Sequence, residues 1–288
     1  LNQATGGSWV RFLNQAKRPT IRACNAIGPA CNLSGPMKKL LFPLVIVMAA
    51  TACTPKVVSL PETGVRPELA MKLDDEVFFH NVGITFDGKY YYTVNGGNDG
   101  YGKVNQYDTH GKLVASADVE ADGRAIFYNP ADGKIYIKTY MRDLMVYNPS
   151  LKEANIVAED VFKDNQSSPA LDPSGKRIYE LVGGTLYVME FPSMKEIQTI
   201  EGIPCGDFPY DEAIAASKNF LFTWDEDGRV YVLDKTGKEL TSFKVKNTFH
   251  GMSLSWANGM IWGAEDADAS SYGGIGIWFG YTLGPAIK

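Results

Sequence analysis

The chain has 288 residues, of which 45% are hydrophobic, 12% aromatic and 21% charged, and its formal net charge is −5. This composition excludes a fibrous protein and a disordered chain. Six of the 28 Lys and Arg residues lie in residues 1–52, which contain no Asp or Glu, so residues 53–288 carry 22 basic against 33 acidic residues. Because phosphate backbones bind through neutralising cations, this acidic body argues against nucleic-acid binding.

Residues 37–52 have the pattern of a secretory signal peptide. Met37 and two lysines precede an eleven-residue apolar run, and small residues follow up to Ala52. The run is shorter than the roughly 20 residues that a membrane-spanning helix needs. Since a signal peptide acts from the N-terminus, we interpret residues 1–36 as upstream sequence or an over-extended start outside the fold. An organelle transit peptide is the alternative.

The signal peptide ends directly at a cysteine. The segment Ala50-Thr51-Ala52-Cys53 resembles the lipobox of bacterial lipoproteins, although that family usually carries Leu at the position of Ala50. The resemblance implies lipidation at Cys53 and a location in the bacterial cell envelope, anchored to the outer membrane or on the periplasmic face. Residues 53–67 would then be a tether. Ordinary cleavage after Ala52, which leaves Cys53 unlipidated, is the alternative.

The body of the chain repeats one unit of sequence at a spacing of 42 to 45 residues. Each unit is a tight turn followed by an aromatic or β-branched run; the units start with residues 87–92, 132–137, 174–179, 217–222 and 258–262. Four short strands per repeat at this period predict an all-β fold, a β-propeller of five four-stranded blades over 68–288. A sandwich would not have this fixed period, and six blades are the alternative. The last repeat lacks an outer strand, and we expect residues 68–73 to supply it and close the ring.

Three stretches of these repeats are similar to a known repeat family. Residues 83–95, 127–136 and 171–179 resemble the YVTN-type propeller repeat, also called WD40-like or quinoprotein-like. The resemblance covers roughly residues 77–245 and implies the fold but no particular activity.

The propeller prediction also places one group of polar side chains. Counting back from each repeat puts His80, Arg124 and His250 at equivalent starts of innermost strands, at the mouth of the channel on the face that carries the long loops. With Asp207 they are candidates for a catalytic acid/base or anion-binding cluster. The alternative is that each histidine only caps its strand.

Two neighbouring loops offer oxygen ligands for Ca²⁺, the one cofactor we consider. The candidate ligands are Asn98, Asp99, Glu265, Asp266 and Asp268. Their spacing matches no EF-hand, and solvated acidic loops are the alternative. With three histidines, and Cys205 as the one cysteine after Cys53, the sequence argues against an internal disulfide and a Cys/His zinc site.

Two functions remain open. The first is a monomeric, non-catalytic envelope lipoprotein, held at the membrane through Cys53, whose propeller face binds a protein, peptide or glycan. The second is an enzyme resembling lyase or lactonase propellers, with His80 and His250 as acid/base residues. The sequence favours the first, since it contains no complete catalytic constellation.

Overall fold

The computed structural model describes residues 58–61, 64–206, 212–247, 249–266 and 274–287. The predictions for the signal peptide and for Cys53 lie outside these ranges. Within them the chain forms twenty strands and one 3₁₀ turn, Asp99–Tyr101. These ranges contain no helix that is long and apolar enough to span a membrane.

The strands form five antiparallel sheets of four strands each. The first two blades are β2 (His80–Phe86), β3 (Tyr91–Gly96), β4 (Lys103–Tyr107) and β5 (Leu113–Asp118), then β6 (Gly123–Asn129), β7 (Lys134–Thr139), β8 (Leu144–Asn148) and β9 (Glu153–Ala158). The next two are β10 (Ala170–Leu171), β11 (Arg177–Val182), β12 (Thr185–Glu190) and β13 (Lys195–Ile200), then β14 (Ala215–Ala216), β15 (Phe220–Trp224), β16 (Arg229–Asp234) and β17 (Glu239–Lys244). The fifth blade has the order β1 (Glu68–Val77), β20 (Gly274–Thr282), β19 (Met260–Glu265) and β18 (Ser255–Ala257). The prediction of a five-bladed β-propeller is confirmed.

The repeated Asp-Gly turns join the first and second strands of a blade, and they are what recurs in the sequence. The Asp87 carboxylate accepts hydrogen bonds from the backbone N–H groups of Lys89 and Tyr90, and Gly88 adopts φ 97°. This left-handed conformation costs glycine little, and the aspartate side chain closes the turn between the first and second strands. In the next blade the Asp132 carboxylate accepts in the same way from Lys134 N–H.

The ring is closed by the N-terminal strand. β1 pairs with β20 from Glu68↔Thr282 to Val77↔Gly274, so it is the outer strand of the fifth blade, as predicted. Part of the predicted tether also contacts the folded body, because Val58, Leu60 and Val65 pack, partly buried, against an apolar cluster. The pairing of β1 with β20 covers the edge of β20, which would otherwise be open to another strand.

The core consists of apolar clusters between blades, around a central channel. Val94 of the first blade, for example, packs in one cluster with Ile126 of the second. Residues from the innermost strands of all five blades line a cavity of about 380 Å³. This cavity lies where the innermost strands end and the short turns begin. His80 and Arg124 lie at the opposite end of the channel, where the innermost strands start.

Candidate functional site

Ring closure brings the two predicted histidines into contact. His80 is the first residue of β2, and His250 precedes β18 in the neighbouring fifth blade. Their imidazole rings are stacked, with centroids 4.5 Å apart and an interplanar angle of 11°. The His80 side chain is 31% exposed and that of His250 is 19% exposed. The pair is thus accessible from the channel mouth without being free in solvent.

The carboxylate of this site belongs to Asp266, directly after β19. Its Oδ2 lies 2.7 Å from His80 Nδ1 and 3.6 Å from His250 Nε2. Its Oδ1 accepts a 3.0 Å hydrogen bond from the backbone N–H of Asn81. Asp266 therefore bridges the two rings while its other oxygen is held by the main chain. The sequence placed Asp266 only among the Ca²⁺ candidates.

Local packing holds the His250 ring in place. The His250 backbone N–H donates to Ala264 O at 2.6 Å, and Ser253 Oγ donates to His250 O at 2.8 Å. The adjacent Phe249 ring packs against Gly263, where a Cβ atom would come within 2.1 Å of it. Gly263 therefore lets β19 approach closely enough to position the neighbouring histidine.

Burial makes His250 a poor base. Desolvation lowers the pKa of His250 from 6.5 to about 4; Asp266 opposes this shift, and the nearby charges of His80 and Arg124 reinforce it. The His250 Nδ1 atom is buried and has no hydrogen-bond partner in the described part of the chain. The ring is therefore neutral at physiological pH and has an unsatisfied nitrogen.

The third predicted residue, Arg124, is held by contacts in its own blade and by one from the loop before β10. Its side chain is 6% exposed, forms an ion pair with Asp122 and donates from Nε to Gln166 Oε1 at 3.1 Å. The guanidinium also lies 4.9 Å from the centroid of the Tyr140 ring. Because it is paired with Asp122, Arg124 is not a free anion-binding group, although its charge still helps to lower the pKa of His250. The fourth predicted residue, Asp207, lies outside the described residues.

The Ca²⁺ candidates that the structure describes contact different parts of the fold. Asn98 Oδ1 and Asp99 Oδ1 both accept from Gly100 N–H, and both residues line a cleft of about 360 Å³ with residues of the second blade. Glu265 is exposed at the end of β19, and Asp268 lies outside the described residues. Asp266, in contrast, contacts His80. Among the described residues, the one group of three or more His, Cys, Asp or Glu side chains spaced to hold a metal ion is His80, His250 and Asp266.

The fold and this site define a five-bladed β-propeller with a His-His-Asp cluster, formed by its first and last blades, at one end of the channel. Neither protein-family models nor curated proteins match the chain.

Proposed function

We propose that this protein is a cell-envelope lipoprotein, anchored through Cys53, that binds a protein, peptide or glycan ligand at the mouth of its propeller channel. The observation that carries the proposal is the convergence of His80, His250 and Asp266 from two blades onto one partly exposed position. A few polar groups that converge on a rigid scaffold are typical of sites that recognise a ligand. The lipobox-like sequence supports the envelope location.

The composition of the site favours binding over catalysis. Burial keeps His250 uncharged, and Arg124 is already paired with Asp122. These two groups can therefore position a ligand but are poorly placed to exchange protons or stabilise a developing negative charge.

The proposal is tested by screening the full chain on arrays of glycans and of peptides, next to His80→Gln and Asp266→Asn variants. We expect at least one array ligand that the wild type retains and that both variants bind at least about 10-fold more weakly. His110→Gln is the matched control, because His110 lies exposed in the turn between β4 and β5. Equal binding by all four proteins would contradict the channel-mouth site.

One observation favours a second function, an enzyme of the lyase or lactonase kind. The 2.7 Å contact between Asp266 Oδ2 and His80 Nδ1 orients the imidazole and leaves His80 Nε2 to exchange a proton with a substrate. The test is turnover of aldonolactones and of uronic-acid oligosaccharides by the full chain. Activity that is lost in His80→Gln and kept in His110→Gln would support this function. No turnover by the wild type would exclude it for these two substrate classes.

A further inference from the structure

We infer that His80, His250 and Asp266 together bind one divalent transition-metal ion of the Zn²⁺, Co²⁺, Ni²⁺ or Cu²⁺ type. This inference deepens the proposed function, since it names a ligand for the same channel-mouth site. It shares Asp266 with the Ca²⁺ expectation and differs from it in the other two ligands and in the class of metal.

The geometry of the donor atoms supports a single ion. One donor atom from each of the three side chains lies within 4.8 Å of the other two, and the His80–Asp266 and Asp266–His250 distances are 2.7 Å and 3.6 Å. Nitrogen and oxygen donors bound at about 2.0–2.2 Å to one ion lie roughly 3–4 Å apart. Because the two rings are stacked at an interplanar angle of 11°, binding one ion requires them to rotate until a nitrogen lone pair of each points at it.

The donor types select the class of metal. Two imidazoles and one carboxylate suit divalent ions such as Zn²⁺, Co²⁺, Ni²⁺ and Cu²⁺, whereas Ca²⁺ takes six to eight oxygen ligands. The site offers one carboxylate and two nitrogen donors. Three protein ligands also leave positions on the ion for a bound partner, and such a position would explain how a binding propeller uses the metal.

The groups around the cluster have the arrangement expected of supports for metal ligands. The Asn81 backbone N–H holds Asp266 Oδ1 and leaves Oδ2 toward the histidines. Hydrogen-bonded carboxylates and restrained histidine rings are the usual outer contacts of a metal site. The His250 nitrogen that faces this carboxylate is Nε2, 3.6 Å from Asp266 Oδ2, and the stacked rings keep it next to His80.

The experiment is a titration of the full chain with Co²⁺ in metal-free buffer, followed by visible absorption and calorimetry. We expect one ion per chain, a d–d spectrum of a site with nitrogen ligands, and displacement of Co²⁺ by Zn²⁺. His80→Gln, His250→Gln and Asp266→Asn should each weaken binding by more than about 10-fold. His110→Gln should bind as the wild type does. Asp266→Asn keeps an acceptor for the Asn81 N–H, and thermal melting verifies that each variant is folded.

Specific outcomes would overturn the inference. They are the absence of Co²⁺ binding by the folded wild type, equal affinity in Asp266→Asn, or a site that takes Ca²⁺ in preference to Co²⁺. Failure of the inference is distinguishable from failure of the proposed function. If an array ligand binds the wild type equally well with and without metal but does not bind His80→Gln, the proposed function stands and the metal inference fails. Co²⁺ binding by a protein that retains no array ligand would leave the metal site intact and remove the proposed function.

Discussion

The buried carboxylate of Asp75 accepts a 2.9 Å hydrogen bond from the indole Nε1 of Trp278, 203 residues further along the chain. The same carboxylate accepts from Asn81 Nδ2 at 2.8 Å, Asn105 Nδ2 at 2.7 Å and Tyr107 Oη at 2.5 Å. Asp75 lies on β1 and Trp278 on β20, while the other three donors belong to the first blade. This one side chain thus joins the first and last blades, the two that form the His-His-Asp cluster.

Asp75→Ala should therefore destabilise the protein strongly. The substitution leaves the buried donors of Asn81, Tyr107 and Trp278 without their acceptor, and each unsatisfied buried donor costs about 1–3 kcal/mol. Urea unfolding measures the loss. Asp74→Ala is the matched control, because Asp74 is exposed on the same strand and should leave the midpoint unchanged. Similar midpoints for the two variants would show that the carboxylate does not hold the blades together.

Deleting residues 53–76 should expose the edge of β20 and cause aggregation or a lower melting temperature. The deletion removes nearly all of β1, whose pairing with β20 extends over the whole strand, and open edges of this kind associate with one another. Light scattering and thermal melting are the measurements. A shorter deletion, residues 54–57, leaves β1 and the packed Val58 in place and serves as the control. Unchanged melting after the longer deletion would refute closure by the N-terminal strand.

Glu212 should make the protein less stable as the pH rises from about 4.5 to 7. Desolvation raises the pKa of Glu212 from 4.5 to about 7, with the carboxylates of Asp164 and Glu180 adding to the shift; Gly183 N–H and Lys138 oppose it. In this window the folded protein holds a proton that the unfolded chain releases, so the free energy of unfolding falls as the pH increases. At pH 8 the ionised side chain has a buried Oε2 without a partner in the described structure.

Glu212→Gln should therefore stabilise the protein at pH 8, by about 1 kcal/mol after allowance for solvent screening, and leave its stability at pH 4.5 nearly unchanged. Urea midpoints at the two pH values test this. Glu226→Gln provides the comparison, because Glu226 is exposed in the turn between β15 and β16. A stabilisation of equal size at both pH values would contradict the assignment to this carboxyl.

Cys53→Ser should abolish membrane association. If Cys53 carries the lipid, the wild type expressed from Met37 in a bacterial host should partition with membranes and incorporate labelled fatty acid. The serine variant should do neither. A single acyl chain gives only marginal membrane binding, and stable anchoring takes more than one. Identical fractionation of the two proteins would contradict lipidation. Cys205→Ser controls for the loss of a thiol as such.

The equivalence of His80 and His250 could be predicted from the sequence because they stand eight and nine residues before the glycine of a repeated turn, Gly88 and Gly259. The Asp87 and Asp132 turns repeat for local reasons, since the hydrogen bonds that close them join residues two or three apart. The predictions of five blades and of an outer strand contributed by residues 68–73 depend on the same periodicity, and both are confirmed.

The partners of these residues could not be predicted in this way. The spacing of the repeats does not predict the path of the chain after β19. From the sequence, Asp266 is therefore expected to be an oxygen ligand together with Asn98 and Asp99. In the fold Asp266 contacts His80, whereas Asn98 and Asp99 line a cleft with the second blade. Asp75 gave no signal either, because its four donors lie six to 203 residues away.

The sequence by itself thus determined the class of fold, the number of repeats and the end of the channel at which polar side chains gather. Turn chemistry and strand alternation are local and recur with each blade. Only the tertiary structure decided which carboxylate contacts the two histidines and which buried aspartate joins the first blade to the last. Those contacts join blades at opposite ends of the chain, and they form only when the first and last blades pack against each other.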